Sequence, residues 1–315
     1  MKPHLLTFFC ELPFVPLREL FATPGVIDDL VALGAGVSLG LLDLGPERAD
    51  VVRQLNSKGI PVTAWLLLPE SEGYWFNARN LAQATARYDA FRAWTAEHGL
   101  EWHSVGLDIE PDIHELRQVL ELGWRGLPGL LPRLKRGGRI TEARDGYRAL
   151  VERIRADGYR VDTYQFPFIV DERQSRSTLI QRVSGVLDLP ADREVLMLYT
   201  SFVRPHGPAL LWSYGPGAPS IAVGITGGGV ELPGAHAVPP LDWAELSRDL
   251  RLAVRWTHDL HVFSLEGCVR QGFLSRLRTF DWDAPVDPPS VKARRVDAVR
   301  RVLRGVLRTS ALMLR

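Results

Sequence analysis

The stretch Ser104-Val105-Gly106-Leu107-Asp108-Ile109-Glu110-Pro111-Asp112 carries the reading of this chain. Its apolar and small residues run without alternation for several positions and end abruptly in carboxylates and a proline. A strand of that kind is buried on both faces, as strands of a parallel sheet covered by crossover helices must be. The same pattern recurs along the chain, in Leu5–Cys10, Val37–Leu44, Pro61–Leu68, Tyr159–Phe166, Glu194–Thr200, Ser220–Thr226 and Leu260–Gly267. Helical patterns separate these runs: Arg18–Leu33, Glu47–Lys58 behind Pro46, a helix capped by Asn77 and closed at Gly99, Thr141–Ala156, Glu172–Leu187 and Asp242–Trp256. Strands alternating with helices predict an α/β fold, and this number of repeats favours a closed (β/α)8 TIM barrel over a doubly wound open sheet.

The totals suit one such domain. The chain has 315 residues, 46% of them hydrophobic, enough for a large core. A net charge of +1 gives no reason to expect nucleic acid as a partner. Arginine outnumbers lysine 34 to 4. Cys10 and Cys268 fall near the ends of the first and last strands and are expected to be reduced, buried thiols, with a disulfide as the alternative. The opening MKPHLLTFFCELPF reads as a strand rather than a secretion signal, and no apolar run is long enough for an integral membrane segment, so a cytoplasmic enzyme is the expectation.

Residues 1–288 are assigned to the barrel and 289–315 to a basic C-terminal helix packed on it. In that helix Val296, Val299, Val302, Leu303, Val306 and Leu307 fall on one face, opposite several arginines. Such a helix can close the base of a barrel, the favoured reading, or make a peripheral contact with an anionic membrane or a partner.

Catalytic groups of a barrel come from the C-terminal ends of its strands. Those positions hold Glu11, Asp43, Asp108, Glu110, Tyr164, Gln165, Tyr199 and Glu266. Period two places Asp108 and Glu110 on one face of the fourth strand, inward if Leu107 and Ile109 pack outward. Two carboxyls so close cannot both ionise cheaply, which suits Glu110 to general-acid work with Asp108 assisting. Glu266 and Glu11 are further candidates for the second carboxylate, and Asp112 is read as the cap of the next helix. The aromatics Trp65, Tyr74, Trp75, Phe76, Tyr164, Phe166, Tyr199, Trp212 and Tyr214 lie at or beyond strand ends, where Trp65 and Trp75 in particular could stack on sugar faces.

The Asp-x-Glu that ends the fourth strand is similar to the last part of the motif of the chitinase-like family 18 glycoside hydrolases. The resemblance implies a barrel glycosidase in which Glu110 is the acid, Asp108 orients an N-acetyl group of the substrate, and Tyr199 matches a tyrosine near the end of strand six. It departs from that family in its upstream residues, Trp102-His103-Ser104-Val105, and in having Glu266 where a strand-eight tryptophan would stand.

The expected function is therefore cleavage of a glycosidic bond in an oligosaccharide or glycoconjugate, with a carbohydrate as partner and no cofactor. A metal-dependent sugar isomerase or lyase, its ion held by Glu110, Asp43 and Glu266, is the enzymatic alternative. A non-catalytic carbohydrate-binding barrel is another. The eight histidines show no zinc-ligand spacing, and Gly227-Gly228-Gly229 lacks the lysine and spacing of a phosphate-binding loop.

Overall fold

The computed structural model of the chain describes residues 3–115, 137–229 and 238–313. Eight parallel strands close into a barrel in sequence order: β1 (Leu5–Cys10), β2 (Gly36–Leu41), β3 (Val62–Leu66), β4 (Ser104–Asp108), β5 (Val161–Gln165), β6 (Arg193–Met197), β7 (Ser220–Gly224) and β8 (Asp259–Phe263). Closure is made by β1 on β8, with Thr7 opposite His261 and Phe9 opposite Phe263. The expected (β/α)8 barrel is what the chain forms.

Two apolar layers follow from the period-two alternation. Outward residues such as Phe8, Val37, Leu107, Ile109 and Val262 join one large core beneath the helices. Inward residues, among them Phe9, Trp65, Tyr164, Val195 and Ala222, fill the barrel itself. The strands read as unbroken apolar runs because both of these layers are dry.

The helical shell is more broken than the sequence pattern suggests. The expected helix Arg18–Leu33 is two helices, α1 (Phe14–Ala22) and α2 (Val26–Leu33). Pro24 forces Thr23 into extended backbone, and Gly25 turns the chain back with φ +88°. Next come α3 (Pro46–Ser57) and α4 (Leu81–His98). The residue at the start of α4 is Asn80 rather than the expected Asn77. Asn77 lies in the preceding turn, its backbone N–H donating to Asn80 Oδ1. Beyond α5 (Gly137–Ala156), the expected helix Glu172–Leu187 is again two, α6 (Phe168–Ser175) and α7 (Leu179–Ser184). They are joined by Arg176 in the left-handed region, while the Glu172 carboxylate accepts the backbone N–H groups of Ile180 and Gln181. The remaining helices are α8 (Gly207–Tyr214), α9 (Trp243–Ala253), α10 (Leu265–Arg270), α11 (Phe273–Leu277) and α12 (Ser290–Met313). At α9, Asp242 and Glu245 form a full capping box.

The eighth strand stops at Phe263, earlier than the sequence run implies, and Glu266 belongs to the first turn of α10. Ser264 caps that helix, its hydroxyl accepting the N–H of Gly267. Cys10 and Cys268 are both free and buried.

The C-terminal helix α12 lies along the flank of the barrel against α6, α7 and α8, not across its base. Ala293 is buried. Of the expected apolar face, Leu307 is buried and Val296 and Leu303 are half-buried, whereas Val299, Val302 and Val306 are 68%, 69% and 54% exposed, so that face packs only in part. Polar anchors accompany these apolar contacts. Arg300 pairs with the fully buried Asp171 at 3.0 Å and lies 3.7 Å over the ring of Tyr214. Ser310 meets Ser177 at 3.0 Å. No helix among the described residues is long and apolar enough to cross a membrane.

Candidate active site

Along β4 and its extension, Gly106, Asp108 and Glu110 face inward, while Leu107 and Ile109 pack outward at 0% exposure. The chain after β3 fixes this end. Phe76 donates its N–H to Asp108 O at 3.0 Å and accepts the N–H of Glu110 at 3.1 Å. Glu110 therefore sits on an extended ladder and not on a free loop. Gly106 is required by the neighbouring strand, since a Cβ there would stand 2.5 Å from the hydroxyl of Tyr164. That hydroxyl shares a 2.6 Å hydrogen bond with Ser38 on β2, which locks the floor of the site across the barrel.

Above this floor opens a cavity of about 440 Å³, within the usual range for small-molecule sites. Its lining includes Glu11, Trp65, Trp75, Asp108, Glu110, Tyr164 and Tyr199. Trp65 Nε1 donates to Asp108 Oδ2 at 3.2 Å. Tyr74 donates from its hydroxyl to Glu11 Oε1 at 2.6 Å. Asp112 lies outside the cavity and accepts the backbone N–H of His114 at 2.9 Å, as a helix cap does.

The electrostatics follow from crowding three carboxyls into an apolar space. Burial, then the charges of Glu110 and Glu11, holds the Asp108 carboxyl well above the usual range, against the opposing Trp65 hydrogen bond. Burial and the charge of Glu11 push Glu110 up to about 8, with the interaction with Asp108 working the other way. The pair thus keeps a proton at neutral pH. Tyr199 is raised by burial and by the same three carboxyls, so its hydroxyl stays protonated and can donate.

Three of the sequence candidates stand away from the cavity. Asp43 accepts Nη2 and Nε of the buried Arg48 at 2.7 and 3.1 Å, and the N–H of Gly45 at 3.1 Å. Burial alone would raise its pKa, but the Arg48 guanidinium holds it below the usual value. Gln165 donates to Leu187 O at 3.0 Å. It alternates with Tyr164, and the two neighbours on a strand cannot both face inward. Glu266 is 4% exposed and lies behind the glycine run. A Cβ on Gly228 would collide with the Glu266 carboxyl, and one on Gly229 would stand 2.9 Å from Glu11 Oε2. The carboxyls of Glu110, Asp43 and Glu266 do not converge, and no group of three His, Cys, Asp or Glu among the described residues could hold a metal ion.

The aromatics divide in the same way. Phe76 packs outward on Tyr147, Trp212 pairs with Trp256, and Tyr214 lies beneath α12. Lining residues missed in the sequence include Phe9, Phe168, Met197, Phe202, Val203, Leu210, Ile225 and Phe263. Phe9 stands two before Glu11, Met197 two before Tyr199, so period two could have found them. Phe202, Val203 and Leu210 come from the loop after β6 and from α8, where no periodicity points at the cavity.

No family model and no curated protein matches the sequence. Solved structures match the fold. The glycoside hydrolase domain of PgaB (BpsB) from Bordetella bronchiseptica aligns at TM-score 0.50 and 11% identity, over 88% of this chain and 98% of that one. The 3-keto-D-glucoside 4-epimerase YcjR from E. coli aligns at TM-score 0.47 and 15% identity, over 87% and 98%. An L-ribulose 3-epimerase aligns at TM-score 0.44 and 14% identity, over 99% and 98%. At such identities the likeness is one of barrel fold.

Proposed function

We propose that the chain is a glycoside-hydrolase-like enzyme that cleaves a glycosidic bond, with Glu110 as general acid. The observation that carries this reading is the Glu110 carboxyl, raised to about 8 on the wall of an aromatic cavity. A carboxylic acid still protonated at pH 7 can give its proton to a leaving oxygen, which a normal glutamate cannot do efficiently. Asp108 beside it shares the pair's proton and steadies the carboxylate that forms. Glu11, oriented by Tyr74, is the candidate to activate water or support developing positive charge at the sugar carbon. Tyr199 offers a hydroxyl donor to the substrate, and Trp65 and Trp75 offer faces for stacking. Asp43, Gln165 and Glu266 have no direct part in this mechanism.

The test is turnover of a panel of aryl glycosides, N-acetylhexosaminides included, by wild type and Glu110→Gln. Turnover that falls as pH rises through about 8 and is lost in the variant supports the assignment. Sugar binding without turnover in either protein would instead make the barrel a carbohydrate-binding one.

A further inference from the structure

The cavity is chemically lopsided. Its three carboxyls, with Trp65 and Trp75, come from β1, β3, β4 and the segments that follow them. The opposite half, at and beyond the ends of β5, β6 and β7, presents Phe166, Phe168, Met197, Phe202, Val203 and Ile225, with the Tyr199 hydroxyl as its polar group near the carboxyls. Phe166 and Phe168 stack on each other, ring centroids 5.2 Å apart with planes 11° apart, and both line this wall. This wall does not end inside the barrel. Phe202 and Val203 line the cavity and yet are 54% and 39% exposed, so hydrocarbon surface continues from the floor to the rim.

Beyond the Tyr199 hydroxyl, a bare sugar would leave the outer part of that half unused, because its hydroxyls need hydrogen-bond partners that phenyl and alkyl side chains cannot supply. Large apolar side chains left in water at the lip of a cavity mark a surface that something apolar covers. We infer that the substrate is amphiphilic: a glycoside whose sugar meets the carboxyl half while a hydrocarbon aglycone lies along Phe166 and Phe168 and leaves the cavity over Phe202 and Val203. The inference rests on the glycosidase reading for the head group but names the leaving side of the bond. Glu110 then protonates the oxygen at the junction of the two halves, the bond from that oxygen to the sugar carbon breaks and the hydrocarbon leaves as the alcohol, while a water activated by Glu11 on the sugar side supplies the new hydroxyl.

The test uses full-length protein and n-alkyl glycosides from methyl to octyl, kept below their micelle concentrations, on a glucose and an N-acetylglucosamine head group. Affinity is read by calorimetry and by the change in intrinsic tryptophan fluorescence, to which Trp65 and Trp75 in the cavity wall contribute. For each head group, affinity is expected to rise about three- to fourfold per added methylene until the chain passes the rim. The double variant Phe202→Ser, Val203→Ser changes only exposed side chains and should make the rise level off at a shorter chain.

Methyl and octyl glycosides of equal affinity, or no binding of any octyl member, would overturn the inference. Hydrolysis of methyl and aryl glycosides without a chain-length effect would leave the glycosidase standing while removing the amphiphile. A chain-length effect with no hydrolysis of any glycoside would do the reverse.

Discussion

The Glu110 assignment can be tested on stability alone, with no knowledge of the substrate. The perturbation is Glu110→Gln, which keeps the shape of the side chain and removes its charge. A carboxyl whose folded pKa is raised binds its proton more tightly in the folded than in the unfolded chain. The stability this contributes is fully present below the unfolded value of 4.5 and is lost as pH rises through about 8. That difference corresponds to about 5 kcal/mol at 1.36 kcal/mol per pKa unit. Asp108 and Glu110 titrate together, so part of the figure belongs to the pair, and about 2–3 kcal/mol is expected for Glu110→Gln. Urea unfolding at pH 5, 7 and 9 would show it. At pH 5 wild type and variant should agree within about 1 kcal/mol, and by pH 9 the variant should be the more stable by the expected amount. Curves of stability against pH that run parallel for the two proteins would refute the idea that Glu110 is a buried, protonated acid.

Two further outcomes follow from other contacts. Trp65→Phe removes the donor that favours ionised Asp108, so the pair should hold its proton to higher pH. The alkaline limb of kcat/KM should move up by roughly one pH unit, the worth of one hydrogen bond to a charged group; an unmoved limb would separate Trp65 from the acid. Arg300→Ala leaves Asp171 buried with only Tyr214 and a more distant Arg304 at 3.7 Å, and should cost about 2–4 kcal/mol. Hydrogen exchange should quicken across residues 290–313 ahead of the strands, whereas unchanged exchange there would mean that Ala293 and Leu307 hold α12 by themselves.

Much of the fold was legible along the chain because burial on both faces leaves a local mark. Each barrel strand shows as an apolar run, and period two put Asp108 and Glu110 on the inner face before any contact was known. The same rule, applied strictly, separates Tyr164 from Gln165. Helix ends were less legible. The Pro24 break and the Glu172 cap of α7 depend on single residues whose effect is hidden inside an otherwise helical pattern.

The sequence by itself determined the barrel, its order and the carboxyl pair on β4, because strand periodicity and chain connectivity are local properties. Only the tertiary structure decided which distant acid joins that pair. Glu11, held by Tyr74, acts on it directly by charge, Asp43 is captured by Arg48, and Glu266 lies behind the glycine run because β8 ends at Phe263. It also decided how much of the apolar face of α12 is packed: Leu307 is buried and Arg300 pairs with Asp171, while Val299, Val302 and Val306 stay exposed. Carboxylates at strand ends look alike in one dimension, and their roles separate only when burial and the nearest opposite charge are fixed in three.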